Sequence, residues 1–172
     1  MMKNIVLIGF MGSGKTQVGK ELAKELARSF FDTDSLIEEK YGLKITAIFA
    51  DKGESFFREA ESRIIDEVTA EDGQVISCGG GAILRNENVN YLKNNGILIY
   101  LKAPFEVLYD RIKASSDRPL LHTAEPEQSA RALWEARQSV YERVADLTVD
   151  TAEKSIPEIV KEIKDLWKKH YM

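Results

Sequence analysis

An α/β domain of three layers, with a five-stranded parallel sheet between two sets of helices, is the fold this sequence predicts. Two observations carry it. Short apolar runs alternate along the chain with stretches whose apolar residues recur at helical spacing. Four of the five apolar runs also end in residues that a plain turn does not need: a glycine-rich loop, "DTD", "GGG" and "VDT". In an open parallel sheet ligands bind at the carboxyl ends of the strands, so these ends point to one site.

The elements follow in order. "NIVLIG" (4–9) reads as the first strand, and "KTQVGKELAKELAR" (15–28) as a helix with Val18, Leu22 and Leu26 on its apolar face. "SFFDTD" (29–34) is a short second strand ending in acid. Helical patterns follow in "SLIEEK" (35–40) and "ESFFREAESRIIDEVTA" (54–70), where Phe57, Ile64, Ile65 and Val68 supply the apolar face. "QVISC" (74–78) is a third strand that three glycines break, and "GILIYLK" (96–102) is a fourth. Pro104 suits the first turn of the helix "PFEVLYDRIKA" (104–114). The polar, proline-bearing stretch "SSDRPLLHTAEPEQ" (115–128) has no periodicity and reads as a loop. A long helix, "SARALWEARQSVYERVA" (129–145), leads to the last strand "LTVD" (147–150) and a closing helix from about Pro157. No repeat or linker interrupts the pattern, so residues 1–172 are expected to form a single domain.

Composition narrows the function. The chain has 172 residues, 44% hydrophobic and 30% charged, enough for a full core without metal or disulfide staples. Its net charge of −4 argues against nucleic acid as the main partner. The single cysteine, Cys78, has no internal partner, which suits a reducing compartment. The apolar run at the N-terminus is short, lacks a small-residue cleavage site and is followed by a glycine loop and Lys15. No stretch approaches the roughly 20 apolar residues of a membrane span. A cytoplasmic, soluble protein is expected.

The stretch "GFMGSGKTQ" (9–17) matches G-x-x-x-x-G-K-[ST] through Gly9, Gly14, Lys15 and Thr16. Such glycines let backbone N–H groups wrap phosphate oxygens, and the helix that follows adds its positive N-terminus. Lys15 would reach the β- and γ-phosphates, and the Thr16 hydroxyl would ligate Mg²⁺. A glycine turn that binds nothing is the plainer alternative, but the position after a strand and before a helix favours the P-loop. A dinucleotide-binding loop fails, because its third glycine would fall at Gln17.

Asp32 and Asp34 stand two apart at a strand end, which in extended geometry puts both on one face. One would order water around Mg²⁺, and the other would take a hydroxyl proton or orient an acceptor. Helix capping is the alternative, although "SLIE" (35–38) already forms a capping box. The run Gly79, Gly80, Gly81 lets backbone approach a ligand closely or supplies positive φ. Taken singly, Arg58, Arg118 and Arg137 read better as solvated surface charges. His122 and His170 read as surface residues, and Cys78 as a buried strand residue rather than a nucleophile.

Six motifs together make the chain resemble the shikimate kinases, in the nucleoside-monophosphate-kinase-like branch of P-loop NTPase folds. They are "GFMGSGKT", "DTDSLIE" (32–38), "IFADKGESFFREAE" (48–61), "GGGA", "DRPLL" (117–121) and "ARQSVYERVAD" (136–146). The first is common to many families, whereas the others in this order are specific. Gln17 departs from the family's usual Ser or Thr, and Thr16 keeps the metal ligand.

The resemblance implies ATP-dependent phosphorylation of the 3-hydroxyl of shikimate, with ATP as co-substrate and Mg²⁺. Residues Gly12, Ser13, Gly14, Lys15, Thr16 and Gln17 would hold the nucleotide, with Thr16 and Asp32 at the metal. Asp34, Arg58, Arg137 and the loop Gly79, Gly80, Gly81 would hold shikimate, with Asp34 as base and the two arginines on the carboxylate. Lys15, Asp34 and Arg118 would be catalytic, and Arg118 would reach the ATP phosphates from a mobile lid at about 115–126. Arg111 and Lys154 would stand near adenine, and Phe49 and Phe57 would line the shikimate pocket, within an acceptor-binding region at about 33–61. A monomer with no nucleic-acid or membrane partner is expected. Another small-molecule kinase, for gluconate or a nucleotide, keeps the loop and sheet but not the acceptor set. A non-catalytic nucleotide-binding module needs no acceptor pocket.

Overall fold

The computed structural model describes residues 2–113 and 122–172. Its sheet is parallel and five-stranded, in the order β2-β3-β1-β4-β5. The strands are β1 (Asn4–Ile8), β2 (Phe30–Asp32), β3 (Val75–Ser77), β4 (Gly96–Lys102) and β5 (Leu147–Asp150). The helices are α1 (Lys15–Leu26), α2 (Thr33–Tyr41), α3 (Ile45–Thr69), α4 (Asn86–Asn94), α5 (Phe105–Ile112), α6 (Pro126–Val144) and α7 (Ile156–Tyr171).

Two apolar layers sandwich the sheet, and the strands feed them alternately. In β1, Ile5 and Leu7 pack with Val18, Leu22, Ile159 and Ile163 of α1 and α7. Val6 and Ile8 point the other way, against Ile65, Leu92, Leu108 and Tyr141 of α3 to α6. Period-2 alternation thus buries both faces, and each such side chain contributes roughly 1.5–3 kcal/mol. A third cluster, Ile37, Ile48, Phe57, Ala60 and Ile64, joins α2 to α3 beside the sheet.

The structure differs from the sequence reading in four places. Helix α3 begins at Ile45, turning a corner at Gly53 (φ 83°, ψ 168°), where the sequence reading started a helix only at 54. Helix α4 has no counterpart in that reading; its run "NENVNYLKN" buries only Leu92 among its apolar side chains, beside the polar Asn88. Helix α6 starts at Pro126, because a proline in the first turn gives up an N–H that has no partner there anyway, so residues 126–128 are helix and not loop. Strand β2 stops at Asp32, so Asp34 lies in the first turn of α2. Among the described residues no helix is long and apolar enough to cross a membrane.

Candidate active site

The phosphate loop joins β1 to α1. Gly14 is the residue just before α1 and has φ 90°, a conformation that glycine adopts without strain. At Gly12 (φ 79°) a Cβ would also meet Ile112 Cγ2 at 2.7 Å and the Leu108 carbonyl at 2.9 Å. Lys15 Nζ reaches back across the loop and donates to the carbonyls of Gly9 (2.8 Å) and Phe10 (3.0 Å).

Asp32 links this loop to the next strand end. Its Oδ2 accepts from the Thr16 hydroxyl at 2.8 Å, and its Oδ1 accepts from the Ser35 N–H at 3.1 Å. Asp32 is therefore the N-cap of α2. The expected capping box at 35–38 does not form: the Glu38 carboxylate instead accepts from the Ile45 N–H at 3.1 Å and from Lys44 at 3.2 Å. Of the two acids, Asp32 takes the N-cap position and Asp34 stands in the first turn of the helix. Asp34 arrives by helical rather than extended geometry, and Asp32 and Asp34 still line the same two cavities.

Those cavities adjoin. One, of about 550 Å³, is lined by residues 12–17, Arg111 and Lys154. Arg111 donates to the carbonyls of Gly12 (3.0 Å) and Thr151 (3.3 Å), tying the phosphate loop to the turn after β5. Lys154 pairs with Glu162 at 2.5 Å. The other cavity, of about 560 Å³, is lined by Arg58, Arg137, Phe49, Phe57, Glu61 and Gly79 to Gly81. Met11, Asp32, Asp34, Gly79 and Gly80 belong to both.

The arginines correct the surface-charge reading. The Arg137 residue is 5% exposed, and the Arg58 side chain 15%. Burial lowers the pKa of Arg137, while Tyr141 and Glu61 act to raise it. Arg58 is held by Glu61 at 2.9 Å and by Glu54 at 3.6 Å. Its guanidinium also stands 5.2 Å from the centroid of the Phe57 ring. The Phe49 and Phe57 rings pack at a tilt with centroids 4.7 Å apart, and Phe57 belongs to the core as well as to the cavity wall.

The three glycines after β3 leave room for these side chains. A Cβ on Gly79 would meet Asp34 Oδ1 at 2.8 Å and Glu61 Oε2 at 2.9 Å. On Gly80 it would meet Arg137 Nη1 at 3.3 Å, and on Gly81 both terminal nitrogens of Arg58 at 2.6 Å. None of the three has positive φ, so space and not backbone freedom is the reason for glycine.

Glu61 is the residue that the sequence reading missed. It is 1% exposed, and burial raises its pKa against the opposing charges of Arg58, Arg137 and Arg85. Its position three after Arg58 in a helix was the available signal. Cys78 is buried, and burial pushes its thiol pKa up, which disfavours the thiolate. His122 and His170 are exposed. Arg118 and positions 115–121 of the expected lid lie outside the described residues, and position 126 belongs to α6.

A phosphate loop at the end of the first strand, an acid beside it and a neighbouring cavity with one buried and one half-buried arginine define a P-loop kinase for a small acceptor. A family model described as shikimate kinase matches residues 11–168. The shikimate kinase of Thermodesulfovibrio yellowstonii is 44% identical over 162 residues, covering 94% of this chain and 93% of that protein. The chain belongs to the shikimate kinase family. Among solved structures, the shikimate kinase of Acinetobacter baumannii in complex with shikimate superposes with TM-score 0.96 at 38% identity, over 100% of this chain and 96% of that one. A gluconokinase from Sinorhizobium meliloti shares the fold alone, at TM-score 0.63 and 19% identity over 98% of both chains.

Proposed function

We infer that this chain transfers the γ-phosphoryl of ATP to the 3-hydroxyl of shikimate, a step towards chorismate and the aromatic amino acids. One observation carries the assignment of roles: Asp34 stands where the phosphate-loop cavity meets the cavity of Arg58 and Arg137. An acceptor whose carboxylate lies on the two arginines has its ring on the Asp34 side, facing the phosphate loop.

In this reading residues 12–17 cradle the phosphates, and Lys15 exchanges its loop carbonyls for phosphate oxygens. Arg58 and Arg137 hold the carboxylate by charge-assisted hydrogen bonds. Asp34 aims the 3-hydroxyl and takes its proton. The same reading assigns Arg118 to the phosphates and Arg111 and Lys154 to the base. The Thr16 hydroxyl and Asp32 carboxylate, 2.8 Å apart, are the hard oxygen donors that Mg²⁺ takes alongside nucleotide phosphates. Bound there, Mg²⁺ would neutralise charge on the phosphates. The residues' own share is positioning and charge stabilisation. We put the enzyme in the cytoplasm, which its lone buried cysteine suits, and take it as a monomer.

A coupled ADP-release assay with shikimate, gluconate and nucleoside monophosphates in parallel tests the assignment. Turnover with shikimate alone is the expected result. Turnover with another acceptor replaces the substrate, and nucleotide binding with no turnover on any acceptor makes the chain a binding module.

A further inference from the structure

Helix α6 buries Arg137 and, one turn later on the same face, Tyr141. The first has a role in the acceptor cavity; the second lies just behind it. Tyr141 is 0% exposed, and its ring stacks on Tyr100 of β4 with centroids 5.2 Å apart. A phenylalanine would fill that space equally well. The hydroxyl is what leaves the core: it donates to the Gly80 carbonyl at 2.5 Å.

Arg137 and Tyr141 converge on this one residue of the glycine loop. A Cβ on Gly80 would meet Tyr141 Oη at 3.4 Å, beside the 3.3 Å contact with Arg137 Nη1. A phenol has one proton, and here it goes to Gly80, so the oxygen presents only lone pairs to the guanidinium. The loop is also anchored from the opposite side, where the Gly79 N–H donates to the buried Thr33 hydroxyl at 3.1 Å. The peptide after Gly80 is thus oriented by its own carbonyl, and in a trans peptide the Gly81 N–H faces the other way.

We propose that Tyr141 is a positioning residue: its hydroxyl fixes the Gly80 carbonyl and steadies the Arg137 guanidinium, and so sets acceptor affinity without touching the acceptor. The proposal rests on the reading of this cavity as the shikimate site.

Tyr141→Phe removes one oxygen and keeps the stacked ring. Loss of that hydrogen bond raises the KM for shikimate by about tenfold and leaves kcat and the KM for ATP nearly unchanged. Calorimetric binding of shikimate without nucleotide weakens in step. Tyr100→Phe removes the neighbouring buried hydroxyl and leaves both KM values unchanged. Combined with Arg137→Lys, Tyr141→Phe costs less than the sum of the single changes, because both act through one guanidinium.

An unchanged KM for shikimate in Tyr141→Phe, or an equal rise for both substrates, overturns the role. A Tyr141→Phe chain that does not fold overturns it too, because the hydroxyl then holds the core rather than the loop. Absence of shikimate turnover in the unsubstituted enzyme is a separate failure: it removes the acceptor reading and the proposal with it.

Discussion

Gly81→Ala separates folding from acceptor binding more cleanly than any substitution of a charged residue. The backbone at Gly81 (φ −95°, ψ 0°) is open to alanine, so the change introduces no left-handed strain. Its methyl group would stand 2.6 Å from Arg58 Nη1 and Nη2, while ordinary contact begins at 3.4 Å, so the guanidinium must retreat by 0.8 Å. The end of an arginine moves easily, and this side chain is 15% exposed, so the stability cost stays below about 1 kcal/mol. The retreat is not free for the site. Glu61, which holds Arg58 at 2.9 Å, is 1% exposed and has no room to follow.

A guanidinium displaced by that much loses one charge-assisted hydrogen bond to the acceptor carboxylate, about 1.5–3 kcal/mol. That corresponds to a rise of roughly 10- to 150-fold in the KM for shikimate. The KM for ATP is expected to stay where it is, since Arg58 lines only the acceptor cavity. Initial rates from coupled ADP release, with each substrate varied in turn, give both constants, and thermal unfolding checks the fold. An unchanged KM for shikimate, or equal rises for both substrates, would refute the reasoning.

Lys15→Met keeps the fold by circular dichroism and loses phosphoryl transfer; normal turnover in the folded variant removes Lys15 from the chemistry. Glu61 supplies a pH signature: burial raises its pKa above the ordinary 4.5, so the folded state holds this proton more tightly than the unfolded chain. Its contribution to stability therefore falls as pH climbs from about 4.5, and the difference in urea unfolding free energy between wild type and Glu61→Gln should decline over that window; a flat difference contradicts the burial argument. Gly53→Ala places a side chain at φ 83°, ψ 168° with no atom within 4 Å, so its entire cost is backbone strain of about 1–3 kcal/mol, read as a lower urea midpoint.

The phosphate loop was legible because its chemistry is local. Backbone amides within a few residues must converge on an anion, and only glycines at fixed offsets followed by a helix allow it. Strands β1, β3 and β4 were legible for a similar reason, since burial on both faces demands continuous apolar runs. The acceptor cavity is different. Whether Arg137 is a surface charge or a buried ligand depends on Tyr141, Gly80 and Glu61, which lie up to 76 positions away along the chain in the case of Glu61. No pattern within α6 encodes that, and only resemblance to a family supplied it. Asp34 lines the same cavities as Asp32, but through a helical turn and not an extended strand, because a three-residue strand gives propensity little to work on and the cap at Asp32 decides where the helix starts.

On the proposed reading, Glu61 explains how an acidic chain keeps a site for an anionic acceptor. Two guanidinium groups converging on one cavity repel each other, and burial takes away the water that would screen them. With the cavity empty, they need an anion of the protein's own. Glu61 supplies it from beneath the glycine loop, with one oxygen on Arg58 at 2.9 Å and the other aimed at Gly79. Arg58 is thereby held in place before the proposed acceptor arrives, so ordering it does not subtract from affinity. The arrangement also accounts for the glycine run residue by residue. Asp34 and Glu61 need the space over Gly79, Arg137 and Tyr141 the space over Gly80, and Arg58 the space over Gly81. A side chain at any of the three would move a charged group of the acceptor cavity, so the run is a packing requirement of side chains brought from α2, α3 and α6.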